Sequence, residues 1–155
     1  MSTINDLLAC LNAEIDETNN FIDLLEKEAE ILVSSESLSE IPALTEAKEA
    51  SAHQLTQLGK QRSQLLQILG GAGDRAQMDA LAATDDELWT AWQILLATAE
   101  EASVLNQRNG TLISVHLRHT QQSLEALRSA AGVGDVYTAD GKPHAIGRPT
   151  PIGKV

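Results

Sequence analysis

Thr84-Asp85-Asp86-Glu87 begins the stretch that decides the fold, and the stretch runs on to about Ala131. A threonine followed three residues later by a glutamate has the form of a capping box. The hydroxyl accepts from an orphan amide, the carboxylate reaches back, and the acids suit the positive end of a helix. Behind it Leu88, Trp92, Leu95, Ala99, Ala102, Asn106, Asn109, Ile113, His116 and Thr120 recur in alternating steps of four and three. That spacing is the seam of a helix packed on other helices. The seam is apolar at first, turns polar at Asn106, and carries no catalytic group.

Two further seams lie upstream. Thr3 is placed to cap a first helix, and Ile4, Leu8, Leu11, Ile15, Thr18, Ile22, Leu25, Ala29 and Leu32 follow in the same steps, with an end near Ser34-Ser35. The break from Ser37 to Pro42 uses proline where a first helical turn tolerates it. A second helix then carries Leu44, Lys48, Ser51, Leu55, Leu58, Arg62, Leu65 and Leu69 and stops at Gly70-Gly71. Lys48 and Arg62 are the odd members of that seam; long stems lie along apolar surface while the charged heads reach out. Asp74 to Ala83 reads as one or two further helical turns.

The fold these patterns predict is all-α. An antiparallel helical hairpin over about 4–69 joins one long C-terminal helix over about 85–130 in a coiled-coil-like three-helix bundle, with a short connecting helix. Residues 132–155 hold three of the four prolines and five of the ten glycines and show no periodicity. The predicted organisation is therefore a bundle domain over 1–131 and a flexible C-terminal tail over 132–155.

Composition narrows the function. Hydrophobic residues make up 43% and aromatics 3% of the 155 residues, which suits helices better than sheets. A net charge of −11 argues against nucleic acid and anionic membranes as partners, since both require clustered Lys and Arg. Residues 1–41 hold ten acidic side chains against Lys27 alone, leaving −9 of the −11 there. That segment reads as a solvated acidic face or as a surface for a basic partner. Cys10 is the single cysteine, so no disulfide framework is expected. With no leader pattern and no run of about 18 apolar residues, the expected compartment is the cytoplasm and no membrane insertion is expected.

Tests for chemistry find none. His53, His116, His119 and His144 are nowhere preceded by glutamate at the Glu-x-x-His spacing of helical metal sites. No phosphate loop or nucleophile arrangement is present, so the expectation is no enzyme, no metal and no cofactor. Trp89 and Trp92 lie on the first turns of the long helix, where one would plug the end of the bundle.

Asn106 and Asn109 occupy seam positions, where asparagine fixes register at a cost in stability. Replacing both by leucine should on that reading stabilise the protein or alter its oligomeric state. Gly110 beside them suggests close approach of another backbone, because glycine inside a helix costs about 1 kcal/mol relative to alanine. Length adds a further expectation. At 1.5 Å per residue the hairpin spans roughly 45–50 Å and the long helix roughly 70 Å, so that about 12 residues, carrying Leu124 and Leu127, run beyond the hairpin. Such an overhang suits helix recognition of a partner, pairing with a second copy in a weak homodimer, or folding back.

At this point the sequence resembles the FlgN family of flagellar type III export chaperones. The resemblance rests on the run Asn106-x-x-Asn109-Gly110-x-Leu112-Ile113, then Thr120, Leu124 and Leu127, then Tyr137-x-x-Asp140-Gly141. Leu7-Leu8 and Leu24-Leu25, Glu14 and Glu28, and Leu44-x-x-x-Lys48 agree with it, while Thr138 departs from the family's usual glycine. The resemblance implies a non-enzymatic cytoplasmic chaperone. It would bind the C-terminal helices of hook–filament junction proteins, prevent their premature assembly, and deliver them to the export gate of the flagellar type III apparatus. Partner-binding residues expected on this basis are Asn106, Asn109, Gly110, Leu112, Ile113, Leu117, Thr120, Leu124, Leu127 and Tyr137. A structural coiled-coil adaptor and a histidine phosphotransfer or ligand-binding bundle remain the alternatives.

Overall fold

The computed structural model describes residues 2–132. Four α-helices follow in order: α1 (Thr3–Ser34), α2 (Ile41–Ile68), α3 (Arg75–Ala82) and α4 (Asp86–Ala130), with a 3-10 turn over Leu38–Glu40. No strand occurs among the described residues. The all-α architecture, the hairpin, the connecting helix and the long last helix stand as the three seams predict.

The chain divides into two units, Met1–Ile113 and Ser114–Val155. In the first unit α1 and α2 pack as an antiparallel pair, as the contacts of Glu14 with Arg62 and of Glu28 with Lys48 require. Its main core gathers Leu7 and Leu11 of α1, Leu66 of α2, Met78 and Ala82 of α3, and Leu88, Ala91, Trp92 and Leu95 of α4. Each core leucine removed from water contributes about 1.5–3 kcal/mol, so this end of the bundle holds the fold. Toward the other end of α1, Ile22, Leu25, Ala29, Ile31 and Leu32 are buried, and so is Leu44 of α2. In the second unit the described residues continue α4 to Ala130, and nearly all of their side chains face solvent.

The helix ends differ from the expected caps. Ser2, not Thr3, caps α1, its Oγ accepting from the Ile4 amide at 3.3 Å. At α4 the cap is Asp85: its Oδ1 accepts from the amides of Glu87 at 3.0 Å and Leu88 at 2.9 Å. Thr84 is already engaged, because its hydroxyl donates to the Leu81 carbonyl at 2.7 Å and closes the last turn of α3. A carboxylate one residue later is as good an acceptor as a hydroxyl, so the start of the helix shifts by a single position.

The turn between α2 and α3 is fixed by one glutamine. Gln77 Oε1 accepts from the Gly73 amide at 2.8 Å, its Nε2 donates to the Leu66 carbonyl at 2.6 Å, and its own amide donates to Asp74 Oδ1 at 3.0 Å. A Cβ on Gly71 would run into the Gln77 carboxamide, and Gly73 sits at a φ of +76°. The left-handed φ favours glycine at position 73, while a side chain at position 71 would displace the Gln77 carboxamide from its hydrogen bonds.

Candidate functional site

Between the helices of the first unit runs a ladder of charged and polar side chains. Arg62 Nε donates to Glu14 Oε1 at 2.7 Å, and its guanidinium lies 5.3 Å from the centre of the Trp92 ring. Ser51 Oγ donates to Glu17 Oε1 at 2.7 Å. Lys48 Nζ donates to both oxygens of Glu28, at 3.1 and 3.3 Å. Glu14 and Glu28 are buried, and a buried carboxylate is tolerable only when paired and hydrogen-bonded. The lysine and arginine heads therefore turn inward, against the expectation that they reach out to solvent. Two of the ten acids in 1–41 are accordingly internal struts, not surface charge.

Asn109 joins α4 to this ladder. Its Nδ2 donates to the Leu25 carbonyl at 2.7 Å and to Glu28 Oε1 at 2.9 Å, while its Oδ1 accepts from Arg108 at 3.2 and 3.3 Å. The side chain is 1% exposed, as is Glu28. Lys48, Glu28 and Asn109 thus tie three helices together at one point. This geometry reverses the sign expected for leucine at position 109. The substitution would strand the Leu25 carbonyl and remove a donor from a buried carboxylate, where an unmade hydrogen bond costs about 1–3 kcal/mol.

Asn106, one turn earlier, behaves otherwise. It is exposed and edges a cleft of about 380 Å³ with Phe21 of α1, Leu55 of α2, and Leu96, Ala99 and Ser103 of α4 among its walls. Nothing in the sequence seams marked this cleft, because its lining residues fall on three separate helices. Gly110 is also exposed, and a Cβ built there meets nothing within 4 Å. The close backbone approach expected at Gly110 is therefore absent among the described residues. Leu112 is half-buried and borders a wider groove of about 860 Å³ beside Ile31, Val33 and Glu36.

The remaining expected site residues lie along the exposed part of α4. Ile113 is 37% exposed, Leu117 61%, Leu124 49% and Leu127 67%. The Thr120 hydroxyl donates to the His116 carbonyl at 3.0 Å. Tyr137 lies outside the described residues. The described residues thus place Asn109 in the interior, Asn106 at a cleft, and Leu117, Thr120, Leu124 and Leu127 on an open helix face.

Of the tryptophans, Trp92 is buried with its Nε1 donating to Asp79 Oδ1 at 2.7 Å, and Trp89 is exposed. Cys10 is buried, its Sγ 3.4 Å from the Leu58 carbonyl. Desolvation first, and then the charge of Glu14, push its thiol up from 9.0 to about 11. A thiol held protonated is a poor nucleophile. No group of three metal-ligating side chains occurs among the described residues. No described helix is long and apolar enough to cross a membrane.

Among protein families, the model of the FlgN protein family matches residues 1–145. No curated protein and no solved structure gives a match.

Proposed function

The chain belongs to the FlgN family of flagellar export chaperones, and on that premise we propose that it binds the C-terminal helices of hook–filament junction proteins. It acts in the cytoplasm and without catalysis, keeps these subunits from assembling early, and carries them to the export gate. The observation that carries this reading is the face of α4 bearing Leu117, Leu124 and Leu127, three large apolar side chains left in water on an ordered helix. Apolar surface maintained in this way marks an interaction site. A helix presenting it in 4-3 steps suits an amphipathic helix as the partner. Each leucine that becomes well buried contributes about 1.5–3 kcal/mol. Ile113 and Thr120 lie in the same rows, and Tyr137 adds an aromatic side chain on the C-terminal side. Asn109 serves this surface indirectly, by holding α4 to α1 next to where the exposed rows begin.

Calorimetric titration with a C-terminal fragment of a hook–filament junction protein tests the reading. Leu124→Asp with Leu127→Asp should lower the affinity at least 100-fold while helicity is retained. Wild-type affinity in the folded double variant would exclude this face and move the search to the cleft at Asn106.

A further inference from the structure

We propose that Asn109-Gly110 is a deamidation site masked by the fold, and that its conversion to aspartate or isoaspartate permanently unties α4 from α1 in any chain that has opened there. The chemistry belongs to the dipeptide. A peptide nitrogen attacks the side-chain carbonyl carbon of the asparagine before it most readily when it belongs to glycine, because no Cβ obstructs the approach. Six asparagines occur in the sequence, and only Asn109 precedes a glycine. Loss of the Gly110 amide proton to hydroxide makes the nucleophile. The nitrogen bonds to Cγ of Asn109, the Cγ–Nδ2 bond breaks, and Nδ2 takes a proton from water and leaves as ammonia. Water then opens the cyclic imide, at the side-chain carbonyl to give aspartate or at the backbone carbonyl to give isoaspartate. Amide and water are consumed, acid and ammonia are formed, and nothing is oxidised or reduced.

In the folded chain both reacting groups are held. The Asn109 side chain is 1% exposed, which keeps water and hydroxide from it. Its leaving nitrogen donates to the Leu25 carbonyl at 2.7 Å and to Glu28 Oε1 at 2.9 Å, and its Oδ1 accepts from Arg108 at 3.2 and 3.3 Å. Gly110 lies inside α4, where backbone amides are committed to the carbonyl one turn back. Packing does not ask for the glycine, since a Cβ there meets nothing within 4 Å. Glycine nevertheless loosens a helix relative to alanine. The helix is thus weakened directly beside its tie to α1, and local opening at that point exposes the dipeptide without unfolding the whole bundle.

Neither product can close the opening again. Aspartate at 109 has no N–H to give. Its oxygens would meet the Leu25 carbonyl and the Glu28 carboxylate, acceptor against acceptor and anion against anion, where Asn109 and Glu28 are each 1% exposed. A buried charge without compensation is strongly disfavoured. Lys48 is already committed to both oxygens of Glu28, and Arg108, itself exposed, draws an aspartate outward. Isoaspartate carries the main chain through its side-chain carbon. The added methylene interrupts the helical ladder between the packed stretch and residues 114–130.

The test follows the wild-type chain at pH 8, folded and in urea, and reads the exchange of amide for acid by the mass of the peptide that holds 109 and 110. Confining the reading to that peptide sets aside Asp140-Gly141, which forms the same imide but gains no charge. Conversion should run at least 100-fold slower in the folded chain than in urea, because the folded rate follows the small open population. Gly110→Ala should slow the reaction in urea at least tenfold. Converted chains carry one more negative charge and are separated by anion exchange. Returned to buffer, they should fold with an equilibrium constant at least tenfold below that of unconverted chains from the same sample, and Asn109→Asp should show the same loss. Failure of either to fold is the extreme of that result. Equal rates in the folded chain and in urea overturn the inference. So does conversion in urea that is indifferent to Gly110→Ala, or converted chains that fold with the wild-type equilibrium constant.

Discussion

One helix, α4, is built in two different ways along its length. From Asp86 to Ile113 it buries Leu88, Ala91, Trp92, Leu95 and Ala102 and closes with Asn109 hydrogen-bonded to α1. From Ser114 to Ala130 it buries nothing, and its large side chains Val115, Leu117, Leu124 and Leu127 stand about half or more in water. The two stretches share the same seam spacing, so periodicity alone makes them look alike. What separates them is whether another of the described helices lies against the seam. The first stretch should respond to substitution through stability, the second through association.

The sharpest way to break that contrast is Glu28→Ala. It removes the acceptor shared by Lys48 and Asn109. Breaking a buried ion pair costs about 3–5 kcal/mol, and the low end applies because Lys48 is 17% exposed and can rehydrate. A fall of about 3 kcal/mol in urea unfolding is expected, and an unchanged midpoint would remove the ladder from any account of stability. Asn109→Leu comes next, at about 2 kcal/mol of destabilisation for the unmade bonds to Leu25 and Glu28. Gly110→Ala works in the opposite direction. With open space around the added Cβ and a helical position, it should stabilise by about 1 kcal/mol in the same measurement. In the second stretch, Leu117→Gln should move the unfolding midpoint by no more than about 0.5 kcal/mol, the range of surface changes; a cooperative loss there would erase the contrast.

The smallest effect at neutral pH belongs to Cys10. Its folded thiol has a pKa raised from 9.0 to about 11, so the protonated thiol is the form the fold favours. Its contribution to stability is complete below about pH 9 and declines as pH rises toward 11. Alkylation by iodoacetamide at pH 8 should be far slower than in urea, and removal of the cysteine should flatten the loss of stability between pH 9 and 11.

Much of this was legible in sequence because it rests on short-range spacing. The three 4-3 seams mark the helices, Gly70-Gly71 and Pro42 mark the turns, and the caps fall one residue from the expected positions because adjacent Ser, Thr and Asp compete as acceptors. The ladder was half legible. Lys48 and Arg62 stood out in the second seam, but their partners did not. The signal was there: Glu14 and Glu28 are fourteen apart, and so are Lys48 and Arg62, as an antiparallel hairpin requires of two rungs. The cleft at Asn106 is not legible in the sequence, since its walls come from three helices, which no single helix encodes. Asn109 stands out in the sequence by its seam position, but its role depends on which carbonyl faces it across the bundle.

The continuity of α4 through Ile113 and Ser114 has a kinetic consequence. A free peptide of residues 114–130 would be only marginally helical, because starting a helix is improbable, with a nucleation constant of about 10⁻³. In the intact chain the packed stretch before it supplies the nucleus, and each further residue only extends an existing helix. The leucines are therefore presented already in register, and an arriving helix meets a template and need not wait for one to form. Unwinding can begin only from the Ala130 end, so backbone amides should exchange with deuterium progressively faster from Val115 toward Ala130.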